Sequence, residues 1–336
     1  MLAFRVNPRP ALLAACAAWL LISPIEARAN DSMAVLAAGG IRLTRTDAIS
    51  MKSEDLYVSV KKVRVRYLFH HETPQPVTAL MAFPMPLIPI NNLDENIGLP
   101  DSPPDPVNLM DFKVWADGRP ITPQVQVRAL VNGLDKTAIL KKYAIPLSDQ
   151  GGDPEAFEKH LTSLPPAARA ELQRNKLVSY WKNPDTGGLS ANYRWDLEVI
   201  FHWNQPFPKG RDVTITHEYR PIAGAFFYAQ PEEPWVHKTY CTDRAFRNAA
   251  ARKLRAKGEN ALLMASTVHY ILTTANNWAG SIGRFHLTLD KGKPQNLLST
   301  CWEGLRKTSP TRFEFSARNF VPKGELKMLV LQDSWE

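Results

Sequence analysis

Nothing in this 336-residue sequence is apolar over the roughly 18 residues that a membrane-spanning helix needs. Runs of five or six like charges are also missing. The formal charge of +8 is spread along the chain, which excludes a nucleic-acid arm and leaves solubility or weak attraction to anionic envelope polymers as its reading. Cysteine is scarce, with three in the whole chain. The motifs that carry common chemistries are absent too. His71-Glu72 is followed by Thr73-Pro74-Gln75 and His217-Glu218 by Tyr219-Arg220-Pro221, so neither completes the H-E-x-x-H that sets two imidazoles on one helical face. There is no Walker loop, no G-x-G-x-x-G and no calcium-loop spacing. No catalytic residue, metal site or cofactor is expected.

What is present begins with Arg5 and Arg9, the apolar run "ALLAACAAWLLI" at 11–22, and then "SPIEARAN" at 23–30. That order is the pattern of a secretory leader, with Ala27-Arg28-Ala29 as the A-x-A site before Asn30. An uncleaved N-terminal anchor is the alternative. Cleavage removes three arginines and one glutamate, taking the charge from +8 to +6 and leaving 307 residues. Cys16 leaves with the leader. In an oxidising compartment the remaining pair, Cys241 and Cys301, reads as one disulfide, two packed thiols being the alternative.

The mature chain is mainly β. Val63, Val65, Tyr67 and Phe69 alternate with Arg64, Arg66 and Leu68, the period of a half-buried strand. Asp117-Gly118, between two strand-like runs in 112–130, is the strongest hairpin signal. The polar, turn-rich stretch 90–108 reads as a surface loop. Helices are expected at 153–164, capped by Asp153 with Pro154 at its first position, and at 242–258, with Phe246, Ala250 and Leu254 facing inward. "FHHETPQP" (69–76) and "FHWNQPFP" (201–208) share F-H-x-x-x-P-x-P, either an internal duplication or a coincidence in a proline-rich chain. The expected organisation is a leader at 1–29, a β-sandwich-like module at 30–150, a helical insertion at 151–188 and a second β-sandwich-like module at 189–336 carrying the 242–258 helix.

Three features invite a chemical reading. "AGSIG" (279–283) resembles a nucleophile elbow, but the next run alternates as a strand where an elbow needs a helix, so Ser281 reads as a turn residue. His70, His71 and His202 would make a metal site only by converging, and strand-end histidines facing water are the plainer reading. Asn276, Asn277, Trp278 and Arg284 in "ANNWAGSIGRFHL" are the candidate ligand contacts. Their alternative is structural, with Trp278 folded back over the open end of a sandwich among turn-forming neighbours.

"NDSMAVLAAGGIRLTRTDAISMKSEDLYVS" at the mature start, "FPMP" at 83–86, "YCTDRAF" at 240–246 and "NNWAGSIGRFHLTLDKGKP" at 276–294 resemble an exported proteobacterial family known only as a domain of unknown function. The resemblance spans nearly the whole mature chain. It implies export to the periplasm and a single co-linear architecture, and it carries no functional residue with it. The unit "VRVRYLFHHETPQPVTALMAFPMP" also looks like the strand-turn-strand pieces of sandwich modules in secreted interaction proteins.

These features together lead to the expectation of a periplasmic, non-enzymatic protein that binds an envelope component or a protein partner. It has no nucleic-acid partner and no integral membrane segment in the mature chain. A hydrolase whose carboxylates sit in a loop, for example Asp94, Glu95 and Asp101, is the rival. Intact-mass measurement of the protein purified from the periplasm is expected to give Asn30 as the first residue. A chain that keeps Met1 contradicts the leader.

Overall fold

The alternation in Val63–His71 decides which side of its sheet is dry. Val63, Val65, Tyr67 and Phe69 are buried, while Arg64 and Arg66 are exposed. The structure is a computed structural model describing residues 32–37, 40–90, 96–97, 108, 110–147, 153–221, 223–231 and 233–334. The expected leader and most of the 90–108 loop lie outside these residues.

The described residues are mainly β, in three larger sheets and a separate two-stranded hairpin formed by Val178–Lys182 and Leu189–Tyr193. The second sheet runs in the order Arg306–Lys307, Arg312–Phe320, Ile282–Asp290, Ile49–Ser59, Val63–His71, Asp212–Tyr219, Lys113–Ala116, Arg119–Ile121. All its pairings are antiparallel except the one between Ile49–Ser59 and Ile282–Asp290. One cross-strand row, Leu287, Leu56, Val65, His217 and Val114, is buried throughout and marks the inner face. The expected hairpin forms at Asp117-Gly118, where both residues have positive φ (47° and 77°).

The first sheet is built around the long strand Trp195–Phe207. Gln124–Val131 lies on one side of it, with Val77–Pro84 and Ile88–Ile90 on the other. Its inner residues meet rings of the second sheet and the ring of Phe112, which leads into Lys113–Ala116. Phe201 stacks on Phe112 at 4.3 Å, Phe207 meets Phe69 at 6.0 Å, and Phe83 meets His217 at 4.8 Å. Helices Thr137–Lys142, Pro154–Ser163 and Pro166–Arg174 add Leu140, Leu161 and Leu172 to the same core. Asp153 caps the second of these, accepting from the Glu155 N–H.

The third sheet, ordered Leu297–Thr300, Leu326–Gln332, Leu263–Tyr270, Gly224–Tyr228 and Asn96–Ile97, presents different residues to its two sides. Val268, Tyr270, Met328 and Val330 join the main core, and the Tyr270 hydroxyl lies 3.1 Å from that of Tyr67. Leu263, Ala265, Leu329 and Leu331 pack with Phe246, Ala250 and Leu254 of helix Arg244–Lys257. That helix is the one expected at 242–258, capped by Asp243. Strands from 30–150 and from 189–336 pair with one another in the first and second sheets. The period-two pattern specifies which face of a strand is buried and carries no information on which strand lies beside it.

Cys241 ends helix Pro234–Tyr240 in a left-handed conformation and is bonded to Cys301, which follows strand Leu297–Thr300. The bond ties the helical layer to the third sheet across a sequence separation of 60. Non-reducing peptide mapping is expected to recover a Cys241–Cys301 peptide pair, and reduction to lower unfolding free energy by about 4 kcal/mol through loop-closure entropy. Two free thiols in the native protein contradict the bridge.

Candidate functional site

Strand Leu263–Tyr270 belongs to the third sheet and strand Ile282–Asp290 to the second, so the chain must cross between sheets in about a dozen residues. It does so through a 3₁₀ turn, Thr273–Asn277, and the polar side chains there act as ties. The Leu272 N–H and the Thr273 hydroxyl donate to the two oxygens of Glu325, each at 2.7 Å. Asn276 Nδ2 donates to the Pro322 carbonyl at 3.1 Å. Asn277 Nδ2 donates to Ser32 Oγ at 2.9 Å, and its carbonyl accepts from the Thr46 N–H at 2.8 Å. The Ala279 N–H then donates to the Ile49 carbonyl, opening the approach to the parallel pairing.

Trp278 is 1% exposed, with its ring 4.5 Å from that of Phe69. Gly280 has φ of +74°, and a Cβ at Gly283 would meet the Lys52 carbonyl oxygen at 2.7 Å. Three of the four candidate contacts are therefore brought together at the corner, with Trp278 buried, Asn277 half-buried and Asn276 exposed. Arg284 is exposed beyond it, on the outer face of the second sheet. Ser281 sits in a bend and leads directly into strand Ile282–Asp290, without the following helix that lifts an elbow serine.

The three candidate histidines are held apart. His70 Nδ1 lies 2.6 Å from Asp212 Oδ1, with Lys52 Nζ 3.3 Å from the same oxygen. The hydrogen bond to His70, aided by Lys52, holds the Asp212 carboxyl below the usual range. His71 points the other way along the strand, buried, its Nε2 2.8 Å from Thr73 Oγ1. His202 belongs to the first sheet, opposite Ala82, where burial pulls its pKa down. Among the described residues no group of three His, Cys, Asp or Glu side chains is arranged to hold a metal ion. Asp94, Glu95 and Asp101 lie outside the described residues. A shallow cleft of about 440 Å³ opens elsewhere, between Gln230, Leu254, Arg255, Asn260 and Leu262.

The model of the domain of unknown function DUF4424 matches residues 29–329. The chain belongs to that family. No curated protein matches it. A crystal structure of a protein provisionally described as nutrient binding, from Legionella pneumophila subsp. pneumophila strain Philadelphia 1, is similar at 15% identity. That likeness covers 91% of this chain and 72% of the other, with a TM-score of 0.45.

The interior holds one polar centre that motif inspection passes over. His217, fully buried, is ringed by Phe83 at 4.8 Å, Phe112 at 5.1 Å, Trp203 at 5.5 Å and Tyr67 at 5.7 Å. Two residues on, burial pushes the Tyr219 hydroxyl far above its ordinary pKa, so it stays protonated at all working pH values. The signal was in the alternation of "DVTITHEY", which sets Val213, Ile215, His217 and Tyr219 on one face.

A corner that works as a tie has a mutational signature. Trp278→Ala is expected to cost about 3–5 kcal/mol, as for other buried large aromatics. Gly283→Ala is expected to destabilise because its methyl group would meet backbone rather than a movable side chain. Chemical unfolding of both variants checks this, and a Trp278→Ala midpoint equal to wild type contradicts it.

Proposed function

We propose that this DUF4424 chain is an exported periplasmic protein of non-enzymatic type that binds an envelope component or a protein partner. The observation that carries the proposal is the Cys241–Cys301 bond. With Cys16 inside the leader-like segment, the bond uses both cysteines that follow it, the usage of an oxidising compartment. The corner residues serve as structural ties, so this reading places binding outside the corner. Asn276, Asn277 and Trp278 are spent on joining sheets, and His70 and His71 are hydrogen bonded apart from each other while His202 lies in another sheet. An exposed sheet face that includes Arg284 is left to meet a partner.

Two measurements test the two halves of this reading. Fractionation of cells expressing the chain with its own N-terminus is expected to place the oxidised protein in the periplasm. Recovery from the cytoplasm with free thiols overturns the exported half. Incubation with purified envelope polymers is expected to release no soluble fragments, whereas stoichiometry-exceeding release overturns the non-enzymatic half.

A further inference from the structure

The outer face of the second sheet holds an arrangement that folding alone does not favour. Arg284 in Ile282–Asp290 and Arg318 in Arg312–Phe320 are direct cross-strand partners, and both are exposed. Side chains directly opposite in an antiparallel pair have Cβ atoms about 4.5–5.5 Å apart, and like charges there are unfavourable. Neither guanidinium forms an ion pair with a carboxylate among the described residues, whereas Arg312, lower on the same strand, pairs with Asp290. On the far side of Arg284 the row continues through Ser53 and Leu68, which carry no charge. The next row brings Ser316, His286, Asp55 and Arg66 into line. There His286 Nδ1 and Ser316 Oγ are hydrogen bonded at 2.9 Å. Asp55 is the nearest carboxylate by register, and Glu314 lies four residues from Arg318.

We propose that Arg284 and Arg318 form a site for a phosphate group, whose charge removes the repulsion between them. This deepens the binding function proposed above by naming the ligand chemistry, and it rests on that function. Each guanidinium presents a planar fork that takes two oxygens. A carboxylate has oxygens for one fork, while a tetrahedral phosphate serves two at once. His286 and Ser316, one row away, supply further polar groups on the same side. A free phosphate and the headgroup of an anionic phospholipid carry the same chemistry, and the test separates them.

The mature chain is compared with Arg284→Gln, Arg318→Gln and, as a control elsewhere on the same face, Arg64→Gln, which sits opposite Tyr57 and Glu218. In chloride alone the first two variants are expected to unfold at or above the wild-type midpoint, since like-charge opposition is relieved and no buried contact is lost. Inorganic phosphate, matched to chloride in ionic strength, is expected to raise the midpoint of wild type and Arg64→Gln but not of Arg284→Gln or Arg318→Gln. Where the phosphate is lipid-borne, free phosphate leaves all midpoints unchanged. Co-sedimentation with phosphatidylglycerol vesicles then falls about tenfold in those two variants, as expected for loss of one charge-assisted fork, with phosphatidylcholine vesicles as the reference. Either pattern supports the site. Equal phosphate shifts in all four proteins without a vesicle-binding difference, or no response to phosphate or vesicles, overturns it. Export is measured separately by fractionation, so failure of the site and failure of the proposed location remain distinguishable.

Discussion

Parallel pairing between Ile49–Ser59 and Ile282–Asp290 sets the terms for the rest of the molecule. It joins the beginning and end of the chain within one sheet, and at its far end the Tyr57 hydroxyl donates to Asp290 Oδ2 across 233 positions of sequence. Closing a loop of that size costs chain entropy, growing with the logarithm of its length. The buried row Leu287, Leu56, Val65, His217 and Val114 offsets that cost by removing apolar surface from water. Parallel strands also need a covered face. The third sheet and the first sheet contribute that cover within one shared core.

The sheet-crossing corner follows from this pairing. A strand leaving the third sheet has to enter the second beside Ile49–Ser59, and the backbone groups freed in the crossing must find partners. Glu325, Thr46 and Ile49 provide them for the backbone, while Pro322 and Ser32 hold the side-chain amides of Asn276 and Asn277, so the partners come from both ends of the described chain. Trp278 then fills the space over Phe69. Polar residues gathered in a short segment can thus mark a place where structure is difficult as readily as a place where a ligand binds.

The two faces of the second sheet divide its duties. Inside, aromatic rings surround His217 and the Tyr67–Tyr270 hydroxyl pair. Outside, alternation puts Arg64, Arg66, Arg284 and Arg318 into solvent. A charged outer surface costs little to maintain in water, and its composition is therefore free to be set by what it meets. Direct opposition of Arg284 and Arg318 is a departure from the cross-strand pairing that stability alone would select.

Local chemistry was enough to read the β character, the Asp117-Gly118 turn, the cap at Asp153, the inward face of the 242–258 helix and the buried set of Val63–His71. Each depends on neighbours a few residues away. The Cys241–Cys301 pairing was also legible, because only two cysteines follow the leader-like segment. Helix Thr137–Lys142 went unread because it is six residues long, with one fully buried side chain and no side-chain cap to mark its start. The sequence marks the corner by its turn-forming residues, yet the burial of Trp278, the ties made by Asn276 and Asn277 and the outward placement of Arg284 depend on segments as distant as Ser32 and Pro322. Strand order and the meeting of Arg284 with Arg318 likewise belong to tertiary structure alone. The period of two records which face of a strand is dry, and only the folded chain decides which strand lies alongside.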